Sequence, residues 1–297
     1  MNRNQMENIT SSNHSTRPDA DLHLEGVFEA QKKDGTRYYR SSVTYHNKHI
    51  SLGSYLDPHE AHRAYCDACR LVGRHADAGN DPSEPLSVSD YDPGVHTLSF
   101  EKWVVLCNFR DNGIYIPTPI YIRPSFLIYY FTPEDFFLFS TEDLFYYSAH
   151  RIQRRGGHFF VSEYGMQVNI LNRYGIRNYA VCGKDYRFRN GNAGDYRYEN
   201  IEILNTYHGL TLLHTAEGLR YLVQIHVKGY KKVGVYDSPL LAAIAYNKAA
   251  DELNRRGIKR HYPVNFIESV SPSKYAELYA SIEIFSEERT KKDHLAE

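Results

Sequence analysis

Residues 187–204, Arg-Phe-Arg-Asn-Gly-Asn-Ala-Gly-Asp-Tyr-Arg-Tyr-Glu-Asn-Ile-Glu-Ile-Leu, gather three arginines, three asparagines and two glycines into one turn-forming run. Guanidinium groups at this density suit phosphate, which they can grip bidentately. Cleaving a phosphodiester asks for more: a carboxylate or imidazole to hold a divalent cation, and a base to take a proton from water. The run holds carboxylates but no histidine. His208 lies eight residues past Asn200, and His150, His158 and His214 are the other candidates; with 15 histidines in the chain, chance proximity accounts for them. A second cluster is Cys66-Asp67-Ala68-Cys69, preceded by His59 and His62. A zinc site usually draws ligands from a knuckle or from several elements, whereas all four residues here fall on one regular helix. A small buried core position at Cys69 is the preferred reading.

The elements that must position these residues belong to a chain of 297 residues, 42% apolar and 24% charged, enough for two or three domains. No apolar run is long enough to span a bilayer, and the polar N-terminus lacks a signal-peptide core, so a cytoplasmic protein is expected. Four cysteines are too few and too scattered for a disulfide framework. With 35 basic and 36 acidic residues the net charge is -1, so any anion-binding face has to arise from local clustering. The 26 tyrosines fit half-buried sheets and wet interfaces.

An internal repeat organises the two ends. Residues 37–73 and 219–257 both read as two alternating strands with a tight turn, then Leu/Val-Gly-x-Tyr, a short Asp/Pro turn and an Ala-rich helix. Ala61, Ala64, Tyr65 and Ala68 correspond to Ala242, Ala245, Tyr246 and Ala249, and Cys69 to Ala250, while the hairpin turn is one residue shorter in the second copy. Small alanines let a helix lie close over one sheet face, which leaves the other face open. In the second copy Val223, Ile225 and Val227 are expected inward. Arg220, Gln224, His226 and Lys228 are expected outward, with Tyr230, Lys231 and Lys232 on the return strand. In the first, Val43 and Tyr45 face the helix, leaving Arg37, Arg40, Ser42 and Thr44 outside with Lys48 and His49.

Gly26-Val27, the Leu52-Gly53-x-Tyr55 step, the helices containing "EAHRAYCDAC" and "AAIAYNKAADEL", and the closing "YPVNF" at 262–266 make each copy resemble the Apetala-type, or ethylene-response-factor, DNA-binding domain. That resemblance implies a three-stranded sheet lying in the DNA major groove with strand residues reading bases.

Between the copies, Asp81-Pro82-Ser83-Glu84-Pro85 reads as a linker. The middle segment offers the strand-like runs "GIYIP", "IYIRP" and "SFLIYYF". A helix is expected to be capped by Thr132, with Pro133 first and Glu134 and Asp135 against its dipole. A glycine-turned hairpin follows from "RRGGHFFVSEYG" to "QVNILNRYG". This order of parts, ending in 187–204, resembles the HNH homing-endonuclease group, in which a strand, a loop and a helix fold around one divalent metal. Gly191, Arg197 and Asn200 match that family's loop, and Glu199-Asn200-Ile201-Glu202 matches its helix entry. The resemblance puts Arg187 at the metal-binding acid, Phe188 at the base histidine and Asn190 at the loop Asp, with Asp195 and Tyr196 in place of two asparagines. Phenylalanine accepts no proton from water, and an arginine repels the cation.

The expectation is therefore an α+β protein. It has a disordered tail (1–22), an Apetala-like DNA-binding unit (23–80), a degenerate ββα-metal, HNH-like domain (88–207), a second Apetala-like unit (215–268) and a C-terminal helix (272–290). That helix carries Tyr275, Leu278, Tyr279 and Ile282 on one stripe and either packs on the chain or mediates a homodimer. The expected partner is double-stranded DNA, bound specifically and without catalysis, cofactor, metal or small-molecule substrate, by a nucleoid-associated regulator of bacterial or phage type. Arg187, Arg189 and Arg197 would then clamp phosphate. An active metal-dependent nicking endonuclease and a protein-binding adaptor or inhibitor are the alternatives.

Overall fold

The structure is a computed structural model that describes residues 24–74, 85–258 and 260–285. The expected N-terminal tail, most of the 81–85 linker and the end of the expected C-terminal helix lie outside these residues. The chain divides into two compact units, Met1–Tyr121 with Tyr130–Asp135, and Ile122–Tyr129 with Phe136–Glu297. It is an α+β structure with five α-helices and several small sheets among the described residues, and none of these helices is long and apolar enough to cross a membrane.

In the first unit, β1 (Val27–Gln31), β2 (Arg37–Tyr45) and β3 (Lys48–Tyr55) form an antiparallel sheet in that order. His46 and Asn47 both have positive φ, as a two-residue hairpin turn compatible with strand twist requires. Helix α1 (Pro58–Leu71) starts where Asp57 accepts hydrogen bonds from the backbone N–H of His59 and Glu60, with proline at the first position. Ala61 is buried, and Ala64, Ala68 and Cys69 share one core with Val43, Ile50 and Leu52. Cys69 is thus a core residue, and burial pushes its thiol pKa up.

Helix α2 (Phe100–Asn112) completes this core and has no counterpart among the sequence expectations. Its seven consecutive residues Trp103–Phe109 are all buried, so the apolar stripe that marks a surface helix is missing. The "GIYIP" run is not a strand; the carbonyl of Ile114 is satisfied by the Asn108 side chain at 2.9 Å.

A short sheet is formed by β4 (Ile120–Ile122), β5 (Leu127–Tyr130) and β6 (Phe136–Phe139). The helix expected from Thr132 is absent. Thr132 Oγ1 does accept from Asp135 N at 3.0 Å, but it closes a turn that feeds β6. The four residues Phe136–Phe139 favour a strand that buries Phe137 and Phe139. A helix, α3 (Leu144–Ala149), begins only after Ser140.

In the second unit, β7 (Gln153–Arg155), β8 (His158–Glu163) and β9 (Met166–Asn169) form a meander with turns at Gly156-Gly157 and Tyr164-Gly165. The two-stranded pair β10 (Tyr186–Phe188) and β11 (Ile201–Ile203) follows. The second repeat comprises β12 (Leu210–Thr215), β13 (Gly218–His226), β14 (Tyr230–Tyr236) and α4 (Pro239–Arg255), capped by Ser238. Helix α5 (Pro272–Ser281) packs on α4. Lys248 Nζ donates to the carbonyls of Tyr279, Ala280 and Ile282 at 2.7, 3.2 and 2.8 Å, closing the helix end. Ile282, Ile284 and Phe285 then return to the core, and Phe285 N donates to Val233 O.

The repeat extends to backbone detail. A β-bulge separates Ser41 from Ser42 and Val223 from Gln224, with Leu52 and Val233 as the extra, buried residues. Ser42 N donates to Gly26 O at 3.0 Å, and Gln224 N to Gly209 O at 2.8 Å. Gly26 and Gly209 have φ of 75° and 76°, and a Cβ on either would sit 2.0 or 2.1 Å from Cδ2 of Tyr65 or Tyr246. In both copies the helix tyrosine lies flat on a glycine that no other residue can replace without displacement.

Candidate nucleic-acid interface

Residues directly opposite in an antiparallel pair share a face, so the strand registers assign every side chain. In the first sheet, Val43 pairs Ile50 beneath α1, and Arg40, Ser42, Thr44 and His49 lie on the opposite face with Ser51 and Ser54. Phe28, opposite Arg40 and 56% exposed, borders them. In the second sheet Arg220, Gln224, His226, Tyr230 and Lys232 share the open face with Leu213, Leu222 and Val235. Lys228 is exposed in the turn.

Three expected outward residues are not on these faces. Arg37 alternates with Tyr39 and Val43 on the helix side and pairs with Glu29 at 3.3 Å. Lys48 lies opposite Tyr45, its Nζ 4.9 Å from the Tyr115 ring centroid. Lys231 lies opposite Ile225, its Nζ 4.5 Å from the centroid of Phe285. Register decides each case: Lys231 and Lys232 are neighbours in sequence and must take opposite sides of the sheet.

One cation on the open face was not anticipated. Arg260 Nη1 lies 2.6 Å from His226 Nδ1 and also donates to Val227 O, while the His226 ring meets Tyr230 edge-on. The only sequence signal was the basic stretch ahead of the closing "YPVNF". Asn265 of that segment has a framework role. Its backbone N–H donates to Asn247 Oδ1, its Oδ1 accepts from His208 N, and its Nδ2 donates to His208 O. His208 is thereby held by its backbone. Burial, then the charge of Arg177, lowers its imidazole pKa, with Asp185 opposing.

The 187–204 run folds differently from the strand, loop and helix that the HNH resemblance implies. Residues 201–203 are a strand paired with β10: Ile-Glu-Ile alternates with period two, and Arg187 stands opposite Glu202. Asn200 caps no helix. It is buried and ties the loop, its Oδ1 accepting from Asn190 N at 2.9 Å and its Nδ2 donating to Asp195 O at 2.8 Å. Phe188 is buried beside Tyr186 and Tyr196.

All three arginines of the run meet carboxylates. Arg187 and Arg189 share Glu202 at 2.8 and 3.7 Å, and Arg197 grips Asp195 with Nε and Nη2 at 2.8 and 2.6 Å. Burial raises the Asp195 pKa, but the bonds from Arg197 and Asn190 outweigh it and leave the carboxyl below its usual range. Arg187 likewise lowers Glu202. Phosphate binding here would have to compete with pairs already made. Among the described residues, no group of three or more His, Cys, Asp or Glu is placed to hold a metal ion.

Asp143 also escaped sequence reasoning. Fully buried, it accepts from Arg173 Nε, from Tyr174 OH at 2.9 Å and from Tyr198 OH at 3.0 Å. Burial, with Tyr147 and Asp143 alongside, drives the Tyr174 pKa well above the phenolic range. Many of the tyrosines read as interface material, Tyr129, Tyr147, Tyr174, Tyr186 and Tyr196 among them, are core. Comparison of the chain with protein-family models, curated proteins and solved structures finds no match.

Proposed function

We propose that this chain binds double-stranded DNA sequence-specifically through the open faces of its two repeated sheets, as a non-catalytic regulator. The observation that carries this reading is the repeated scaffold itself: a helix covers one face of each sheet and leaves hydrogen-bonding and cationic side chains on the other. Arg40 and Gln224 are side chains of the kind that contact bases bidentately, and Lys232 and Arg260 would supply cations for phosphate, whereas Arg220 pairs with Asp237 at 2.8 Å and would have to exchange that partner. The carboxylate pairing of Arg187, Arg189 and Arg197 makes the β10–β11 hairpin a secondary contributor. Selection from a random duplex pool, with and without Mg²⁺, tests the reading. An enriched motif bound without metal, with affinity falling steeply as salt rises and strands left uncut, is the expected result. Metal-dependent nicking, or no enrichment, overturns it.

A second reading rests on the apolar part of the second sheet's open face. Leu213, Leu222 and Val235 share this face with Tyr230, which is 79% exposed, a composition that also suits a protein partner. Failure of the DNA selection together with Tyr230-dependent capture of a protein favours this alternative.

A further inference from the structure

His62 and Cys66 stand one turn apart on α1, and their side chains meet, with Cys66 Sγ 3.5 Å from His62 Nε2. The other ring nitrogen, Nδ1, lies 3.0 Å from the backbone carbonyl oxygen of Glu25. A carbonyl only accepts, so the imidazole proton belongs on Nδ1 and the lone pair of Nε2 is turned toward the thiol. A nucleophile, a base and a group orienting that base are thus in sequence. The DNA reading makes no use of them.

Cys66 is exposed and borders a cleft of about 250 Å³ that is also lined by Arg63, Asp67, Cys69, Arg70, Val95 and Thr97. Arg63 precedes Cys66 by three residues and Arg70 follows by four, so helical spacing puts both guanidinium groups on the same stripe as the sulfur. The nearby carboxylates are engaged. Asp67 Oδ2 accepts from the backbone N–H of Thr97 and Leu98 at 2.8 and 3.1 Å, Glu25 Oε1 accepts from Tyr65 OH at 2.6 Å, and Glu60 stands 3.9 Å from Arg63. Arg70, and Arg63 in a loose pair with Glu60, thus stand with the engaged Asp67 around a thiol whose proton acceptor is already aligned.

We propose that Cys66 is a modification site for small anionic disulfides, with His62 as proton acceptor and Arg63 and Arg70 as the seat for the reagent's carboxylates. His62 Nε2 takes the proton from Sγ, and the thiolate attacks one sulfur of the reagent. The Cys66 mixed disulfide forms as the reagent's own S–S bond breaks. The departing thiolate recovers the proton from the imidazolium and leaves as a thiol. Cys66 is oxidised and the departing half reduced, so the disulfide is the only co-reactant required.

Cys182, the second exposed thiol among the described residues, is an internal comparator. The full chain is incubated with oxidised glutathione, which is anionic, and in parallel with cystamine, which is cationic, and adducts at each cysteine are quantified by peptide mass spectrometry. The Cys66-to-Cys182 rate ratio is expected to be on the order of tenfold higher with oxidised glutathione than with cystamine. Replacing both arginines (R63Q/R70Q) should bring the two ratios together. The cystamine rate at Cys66 should not fall in this variant, which separates loss of the anion seat from loss of the thiol's own reactivity. His62→Gln should slow Cys66 with both reagents alike. Equal ratios for the two reagents in the unmodified sequence, or an unchanged Cys66 rate in His62→Gln, would overturn the proposal.

Discussion

The two repeated sheets share a scaffold and differ on the face that the scaffold leaves open. Bulge, glycine-on-tyrosine contact and Ala-lined helix recur at matching positions, because each is fixed by close approach between helix and sheet. Across the open faces the register aligns Arg40 with Leu222, Ser42 with Gln224, Thr44 with His226, His49 with Tyr230 and Ser51 with Lys232. The first face carries hydroxyls around Arg40 and His49. The second carries longer amide, aromatic and cationic groups interleaved with apolar ones. Two copies of one framework thus carry different side chains on the face left open, and under the proposed DNA reading each would prefer different bases.

The largest test of this comparison concerns the shared framework. Gly209→Ala must push Tyr246 aside and hold a positive φ, a loss of about 3 kcal/mol in the second repeat. Gly26→Ala should cost the first repeat a similar amount, whereas Gly113→Ala, where a Cβ meets nothing within 4 Å, should cost about 1 kcal/mol. Urea midpoints followed by hydrogen exchange in each repeat measure all three, and unequal losses at Gly26 and Gly209 would break the equivalence.

On the open faces the asymmetry should appear in binding. Gln224→Ala is expected to relax base preference at one position by about 1–3 kcal/mol, with Ser42→Ala at the lower end of that range, read from selected-duplex affinities. Lys232→Gln should lower the slope of log affinity against log salt by about one, and Lys231→Gln should leave it unchanged because its amine lies over Phe285. A slope change for Lys231 alone would reverse the facing assigned to this strand.

The smallest expected effect is on pH. His208 has a folded pKa below its ordinary value, so its contribution is complete above the unfolded value near 6.5 and is lost as pH falls through the folded one. Stability of the second unit should therefore decline on going from about pH 7 to pH 5, by an increment missing in His208→Gln, as denaturant titrations at the two pH values can measure. The first sheet has no counterpart to this group and should lack the increment.

Much of the framework was legible because its signals are local. The alanines and tyrosine of α1 and α4 recur at a fixed offset, and alternation in β2 and β13 marked Val43, Val223 and Ile225 as core. What failed did so where tertiary burial replaced the local signal. Helix α2 is buried around its whole circumference and shows no stripe. Thr132-Pro133-Glu134-Asp135 has the chemistry of a helix start, yet the four residues after it gain more by burying Phe137 and Phe139 as a strand. Ile201-Glu202-Ile203 was read as a helix entry because of what precedes it, although its own alternation is that of a strand. The candidate site was half visible: Arg40, Gln224 and His226 followed from alternation, whereas Arg37, Lys48 and the choice between Lys231 and Lys232 needed the register, and Arg260 needed the path of the chain after α4.

By itself the sequence determined the repeat, the capping of its helices and the residue types available to each sheet, since these depend on spacing within a few turns. The tertiary structure alone decided which lysine of a pair faces outward, because register and bulge are set by hydrogen bonds between strands. It also decided that the arginines of 187–204 are met by Asp195 and Glu202, because the partner of a charge depends on how the chain returns and not on its neighbours in sequence.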